Sequence, residues 1–290
     1  MTGGPLDRIV FGTARLAGGA YARPSRRLIE TCLKAGITRF DTAPSYGMGA
    51  AEGLLGDVTA GVSGIEIATK LGSLRPSHPG LRGWAKLGFR LSGLRQETAG
   101  GGGPIRRYDG PLPGMDHSAD ACRRSFERSL ELLRRDRIEL LFLHEAEPDA
   151  VPSETVALID QLRADGRIGC PGAAHQGPVN SLPAGWAAQI APDVADFSRT
   201  SPGQAPLRFH SIRNVAKAAA QAVPGLVQRL TRVADQIGDG DPHGLAPLAL
   251  LASLNPQAKM IYATTAQDRL EAFIQAWRSL DLGAIAKAGE

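Results

Sequence analysis

The feature that most constrains this chain is a rhythm. Short apolar runs of four or five residues alternate with longer stretches in which apolar side chains recur every three to four positions. Strand-length runs separated by helix-length segments predict a parallel sheet wrapped by helices, because each crossover must carry the chain back along the sheet before the next strand begins. Eight runs are strand candidates: residues 8–11, 38–41, 65–69, 139–143, 168–172, 194–197, 207–210 and 259–262. Over residues 25–34, Leu28, Ile29, Cys32 and Leu33 share one helix face; over 121–133, Cys122, Phe126, Leu130 and Leu133 do the same. Gly36 and Gly166 follow helical stretches where a C-terminal stop belongs, just before Ile37 and Ile168. The expected fold is therefore a (β/α)8 barrel of the α/β class, with residues 1–290 as a single domain.

Two segments depart from the rhythm. Residues 71–118 are long for a connector and rich in glycine and proline, Gly100 to Gly103 included. They carry seven Lys or Arg against three Asp or Glu, and residues 81–94 have the pattern of a short basic helix. An extended loop after the third strand is expected here, either a solvated insertion or a substrate lid. The space between Phe197 and Leu207 is too short for a regular helix, so the sixth βα unit is expected to be irregular. Residues 213–237 and 242–254 are helical in pattern.

Composition removes other classes of function. A net charge of +4, without basic residues interleaved with aromatics, is no nucleic-acid surface. The longest apolar runs are strand-length, well short of a membrane span of about 20 residues, and residues 1–6 lack the charged-then-apolar order of a signal peptide. A cytoplasmic protein without membrane association is expected, monomeric or weakly self-associating. Cys32, Cys122 and Cys170 are odd in number and far apart, the mark of buried thiols more than of a disulfide framework or a metal cage.

In such a barrel the reacting groups come from the C-terminal ends of the strands. Asp41, Lys70 and His144 each close an apolar run, and Tyr46 follows Asp41 by five residues. Tyrosine titrates near 10, so it needs a neighbouring cation to work as an acid–base group at neutral pH. Lys70 can supply that charge, Asp41 can hold Lys70, and His144 can hydrogen-bond the phenol or a substrate carbonyl. This set moves a proton; it contains neither a nucleophile nor a metal cage.

The stretches Phe40-Asp41-Thr42-Ala43-Pro44-Ser45-Tyr46-Gly47, Ile67-Ala68-Thr69-Lys70 and Asp136-Arg137-Ile138-Glu139-Leu140-Leu141-Phe142-Leu143-His144 resemble successive signatures of the aldo-keto reductases. Gly12-Thr13 and the residues around Ala164-Asp165-Gly166 add to the likeness, which is strongest over the first 170 residues. The resemblance implies hydride transfer from NADPH to an aldehyde or ketone, with Tyr46 as proton donor and Asp41, Lys70 and His144 completing a catalytic tetrad. It implies cofactor contacts from Gly12, Thr13 and Asp41, and from Thr264, Thr265 and Arg269 in the last βα turn. A helix N-terminus there offers N–H groups to phosphate, and Arg269 favours NADP over NAD. No metal is implied.

Several positions differ from the family pattern. Ala263 stands where relatives have a lysine in the last turn. Ala174-His175 replaces a serine–asparagine pair that binds the nicotinamide amide, and His175 is the candidate substitute for the lost hydrogen bond. After the presumed sixth strand, Asp196 and Arg199 stand near positions where relatives have a glutamine and a stacking tyrosine. His210 and Ser211 face the same pocket or form a satisfied barrel rim. Gly47, Gly49 and Gly53 lack the strand-to-helix context of a dinucleotide loop. The rival to a carbonyl reductase is a degenerate barrel serving as a regulatory or binding module. A hydrolase is disfavoured, since Glu145 and Glu147 near His144 complete no metal or nucleophile site. The basic character of 71–118 points to an anionic or hydroxyl-rich carbonyl substrate such as a sugar.

Overall fold

The computed structural model describes residues 5–76, 114–146, 148–176, 182–197, 206–238, 241 and 244–288. Among them eight parallel strands close a barrel in chain order. These are β1 Ile9–Gly12, β2 Arg39–Asp41, β3 Glu66–Leu71, β4 Ile138–His144, β5 Ile168–His175, β6 Ala187–Ile190, β7 Leu207–Phe209 and β8 Lys259–Tyr262. After β1 to β4 come α1 Ala22–Ala35, α2 Ala51–Thr59, α3 Ala119–Leu133 and α4 Ser153–Ala164. Between β7 and β8 lie α5 Ile212–Ala222, α6 Leu226–Ile237 and α7 Ala246–Leu254; α8 Gln267–Arg278 and α9 Leu282–Ala288 follow β8.

Strand alternation sorts the side chains into two layers. Ile67, Leu71, Leu141 and Leu143 join the large core beneath the helices, whereas Ala68, Leu140, Phe142, Ala174 and Ala187 form a smaller cluster of their own. That second cluster fills the barrel, and three of its five members are alanines. The room they leave is used by a charged side chain: Arg208 on β7, 3% exposed, pairs with Glu66 on β3, which also meets Arg39 at 3.5 Å. Since β3 and β7 lie on opposite sides of an eight-stranded closed sheet, this ion pair crosses the interior.

The helix ends follow local chemistry. Gly36 is left-handed (φ 90°), and its N–H meets the carbonyls of Cys32 and Leu33, so α1 stops where glycine relieves the Cβ penalty. The helical pattern over 213–237 is split into α5 and α6 because Pro224 cannot donate a backbone hydrogen bond and Gly225 is left-handed (φ 79°).

The sixth strand differs from expectation. Residues 194–197 form a 3-10 turn, Val194–Phe197, and the strand is Ala187–Ile190. Alanine is depleted in strands, so Ala187-Ala188-Gln189-Ile190 gives little strand signal. Its place is fixed by partners on both sides: Ala174 opposite Gln189 on β5, and Gln189 opposite Arg208 on β7. The turn is closed by Asp196 N–H donating to the Asp193 carbonyl at 3.2 Å and by Asp193 N–H donating to Asp196 Oδ2 at 2.7 Å. Among the described residues that turn is the only helical segment between β6 and β7, and none lies between β5 and β6.

The long segment after β3 leaves and returns side by side. Ser73 and Met115 form an antiparallel bridge, and Asp116 N–H donates to the Gly72 carbonyl at 2.7 Å. Residues 77–113, with the basic helix expected over 81–94 and the glycine run, lie outside the described residues. Cys32 and Cys122 are buried and Cys170 is partly so, all three as thiols. Among the described residues no helix is long and apolar enough to cross a membrane.

Candidate active site

The four residues singled out at strand ends meet at one rim of the barrel. Asp41 ends β2 and Lys70 is the penultimate residue of β3; both are buried. Lys70 Nζ donates to Asp41 Oδ1 at 2.6 Å and to the Thr42 carbonyl at 2.9 Å, and lies 4.6 Å from the centre of the Tyr46 ring. The His144 ring, at the end of β4, stands edge-on to Tyr46 at 5.9 Å. Asp41, Tyr46, Lys70 and His144 are thus one cluster.

Tyr46 owes its position to Gly47. The chain turns through left-handed conformations at Gly47 (φ 59°) and Met48 (φ 60°). Tyr46 N–H donates to the Ala43 carbonyl at 3.0 Å, and Gly47 N–H reaches the Ala14 carbonyl at 3.2 Å. A Cβ at Gly47 would sit 1.9 Å from the Leu16 carbonyl oxygen, so only glycine lets the loops after β1 and β2 close on each other. Gly47 holds the phenol in place by packing.

The electrostatics differ from one sequence expectation. Burial raises the Tyr46 phenol well above 10, and the carboxylates of Asp41 and Glu145 push it the same way. Lys70 lies 4.6 Å from the ring with its ammonium pinned by Asp41 and Thr42, and its charge does not offset the burial of the phenol. Lys70 itself is lowered by burial, against the pull of Asp41. His144 is lowered to about 3, by burial first and then by Lys70, His117 and His210. At neutral pH the site therefore presents a protonated phenol and a neutral imidazole.

A supporting layer escaped the sequence reading. Glu52, fully buried on α2, accepts from Thr69 Oγ1 at 2.6 Å and pairs with Arg75 at 2.5 Å, bracing β3 one residue before Lys70. His117 Nε2 lies 3.1 Å from the His144 carbonyl, and Thr155 Oγ1 donates to the His117 carbonyl at 2.5 Å. Glu145 holds a left-handed φ of 52° beside the cluster, and its side chain accepts from Gln176 Nε2 at 3.1 Å. Glu147 lies outside the described residues.

The residues assigned to a cofactor fall into two groups. Gly12 pairs with Asp41 in register, and Thr13 donates its hydroxyl to the Asp41 carbonyl at 2.9 Å, so that hydroxyl is spent on fastening β1 to β2. Ala174 lies between His144 and Gln189 in one register row, and His175 ends β5 next to it. His210 has its Nε2 3.0 Å from the His175 carbonyl and its Nδ1 3.0 Å from Ser211 Oγ, a satisfied rim histidine. Farther out, Thr264 Oγ1 accepts from Ala266 N–H at 3.2 Å, while Thr265 and Arg269 are exposed.

Moving the sixth strand changes which residue stands at its end. Asp196 is occupied in its own turn, and Arg199 lies outside the described residues. The polar residue near its end is the penultimate Gln189, 3% exposed, whose Oε1 has no hydrogen-bond partner among the described residues. A glutamine inside an alanine-rich run was the available signal, masked by the stronger apolar pair Val194 and Phe197.

A closed parallel barrel with an Asp, Lys, Tyr and His cluster at the C-terminal ends of its strands carries its polar groups where (β/α)8 barrels place their active sites. The sequence profile of the aldo/keto reductase family matches residues 8–179, and the chain belongs to that family. It is 30% identical over 179 residues to a 6-dehydroglucose reductase of Agrobacterium fabrum (60% of this chain, 51% of that protein). It is 32% identical over 160 residues to a pyridoxal 4-dehydrogenase of Microbacterium luteolum (50% and 41%). The chain therefore spans about half the length of these relatives. Among solved structures, an aldo-keto reductase from Bacillus halodurans in its holo form superposes with a TM-score of 0.60 at 19% identity, covering 98% of this chain and 92% of that one. A thermostable aldo-keto reductase in complex with the inhibitor epalrestat gives 0.62 at 17%, covering 97% and 93%. These two likenesses are of fold.

Proposed function

We propose that this chain is an NADP(H)-dependent oxidoreductase that reduces an aldehyde or ketone to an alcohol, with residues 1–290 acting as one catalytic domain. The observation that carries the reading is the state of Tyr46. A phenol raised above 10, beside a buried lysine pinned by Asp41 and a neutral His144, is a protonated donor at working pH.

A bound nicotinamide supplies the hydride. Two orphaned polar atoms suit its ring and the substrate: Gln189 Oε1 and His144 Nδ1 are both buried and unpartnered among the described residues. They belong to strands two apart, about 10 Å by strand spacing. Gln189 Oε1 accepts from a carboxamide N–H. His144 orients the substrate carbonyl, and Tyr46 Oη gives its proton to the oxygen as negative charge develops there. Lys70, held by Asp41, keeps positive charge within reach of the phenolate that remains.

Gln189 also supplies a glutamine at the sixth strand, one of the altered nicotinamide contacts that favoured a regulatory barrel, while Ala174-His175 still replaces the serine–asparagine pair after the fifth. For the substrate, a hydroxyl-rich carbonyl compound of the sugar type fits the basic residues of 71–118 and the 6-dehydroglucose reductase name of the Agrobacterium relative. Quenching of Trp84, Trp186 or Trp277 fluorescence by NADPH, followed by a carbonyl screen, tests the reading. Micromolar binding with turnover supports it; absence of binding by NADPH and NADH alike returns the regulatory barrel.

A further inference from the structure

A cavity of about 310 Å³ lies between the first turn of α1 and the start of α8, lined by Arg23, Pro24, Arg27, Leu28, Thr265 and Gln267. None of the six is acidic. Arg23 and Arg27 are four residues apart and therefore share one face of α1. Neither guanidinium makes a hydrogen bond or ion pair among the described residues, whereas Arg26, on another face of the same helix, is paired with Asp57. Two unpaired cations on one wall of a cavity repel each other unless an anion joins them.

The opposite wall offers donors. The N-cap of α8 is Ala266, which makes no side-chain capping bond, so the first N–H groups of that helix have no capping acceptor. Thr265 adds an exposed hydroxyl. Gln267 is held by Thr31 Oγ1 and Glu271 through Nε2, leaving a buried Oε1 without a partner among the described residues, an acceptor for a sugar hydroxyl. Two guanidinium groups, a helix N-terminus, a hydroxyl and one neutral acceptor match a phosphate monoester on a ribose. The volume is at the small end for ligand pockets, enough for that fragment.

We infer that this cavity is a phosphomonoester site that takes the adenosine 2′-phosphate of the dinucleotide, with Arg23 and Arg27 of α1 supplying the cations that the last βα turn lacks at Ala263. The inference rests on the dinucleotide reading above and goes beyond it, because it moves the NADP preference from Arg269 to a different helix. A free phosphate or a phosphorylated substrate would share the chemistry, and the probes below separate these sources.

The test uses the full chain and its Arg23→Ser/Arg27→Ser variant. Adenosine 2′,5′-bisphosphate, 5′-AMP and inorganic phosphate are titrated calorimetrically, and NADPH and NADH by tryptophan quenching. The parent is expected to prefer the bisphosphate over 5′-AMP by tenfold or more, about one charge-assisted pair. The variant should lose ten- to a hundredfold for NADPH and the bisphosphate while NADH and 5′-AMP stay within about twofold. Equal losses for NADPH and NADH, or a preference abolished by Arg269→Ser and untouched by the double variant, overturn the assignment. If the parent binds neither dinucleotide, the oxidoreductase reading fails separately. Bisphosphate binding that the double variant loses then still supports the cavity as an anion site. Inorganic phosphate binding as tightly as the bisphosphate, or no binding of either, overturns the nucleotide assignment.

Discussion

The two halves of the barrel use buried charge differently. In β1 to β4 a buried ion pair lies at the rim: Asp41 and Lys70 are bonded at 2.6 Å, with Tyr46 and His144 against them. In β5 to β8 the buried ion is Arg208, which reaches across an alanine-lined interior to Glu66 and so ties the second half to the first. One half holds its ion pair at the rim, where the proposed chemistry lies; the other uses its ion to fill and join the barrel. The polar residues Asp41, Lys70 and His144 of the first half were legible because each closes an apolar strand run. Those of the second half act across the barrel, and sequence spacing does not show it.

The largest effect should come from the first half. Tyr46→Phe removes the proton donor and leaves the ring, so kcat for carbonyl reduction should fall by about 10² to 10⁴, the range for general acid catalysis. NADPH affinity should stay within about twofold. A variant that keeps full turnover removes Tyr46 from the mechanism and with it the contrast between the halves.

Next in size is the buried pair. Lys70→Met leaves Asp41 desolvated with no cation, and loss of one partner of a buried ion pair costs about 3–5 kcal/mol of unfolding free energy in urea titrations. The Asp41→Asn/Lys70→Met double variant should recover most of that stability and none of the activity. If it recovers neither, the pair is part of the framework as Arg208 and Glu66 are, and the division of labour between halves fails.

Gln189→Ala tests the second half. It removes the acceptor proposed for the carboxamide, one hydrogen bond worth about 1 kcal/mol net, and should weaken NADPH and NADH alike by about five- to tenfold. This equal loss distinguishes it from the Arg23 and Arg27 variant, which should discriminate between the two dinucleotides. An unchanged affinity for both would make Gln189 another interior filler.

The barrel itself was legible because seven of eight strand candidates overlap the strands observed, and helix stops such as Gly36 rest on backbone sterics that sequence spells out. The sixth strand was not. Its Ala187-Ala188 start carries no apolar strand signature, and its place is set by close backbone contact with β5, where a Cβ on Gly172 would meet the Ala187 carbonyl at 2.5 Å. Asp41, Lys70 and His144 were read from strand ends, and Tyr46 from the loop after Asp41 together with the family resemblance. Glu52 and His117 were missed because a lone glutamate in a helix and a lone histidine before one give no periodic signal, and each acts through a residue distant in sequence.

A further expected effect, confined to acid, is a pH dependence that separates His144 from an ordinary histidine. In the folded chain His144 is lowered to about 3, against about 6.5 when unfolded. Between those values the unfolded chain binds a proton that the native chain refuses, so stability rises with pH over this window and falls as acid is added below about 6.5. At pH 4.5 this one group should cost about 2 to 3 kcal/mol relative to pH 7, taking 1.36 kcal/mol per pH unit. Urea titrations at the two pH values, in the parent and in His144→Asn, isolate the contribution, since the variant should lose that much less on acidification. Equal losses in both would mean that His144 takes up its proton in the native state, and the reduction rate should then show an inflection near pH 6 that the neutral imidazole reading does not allow.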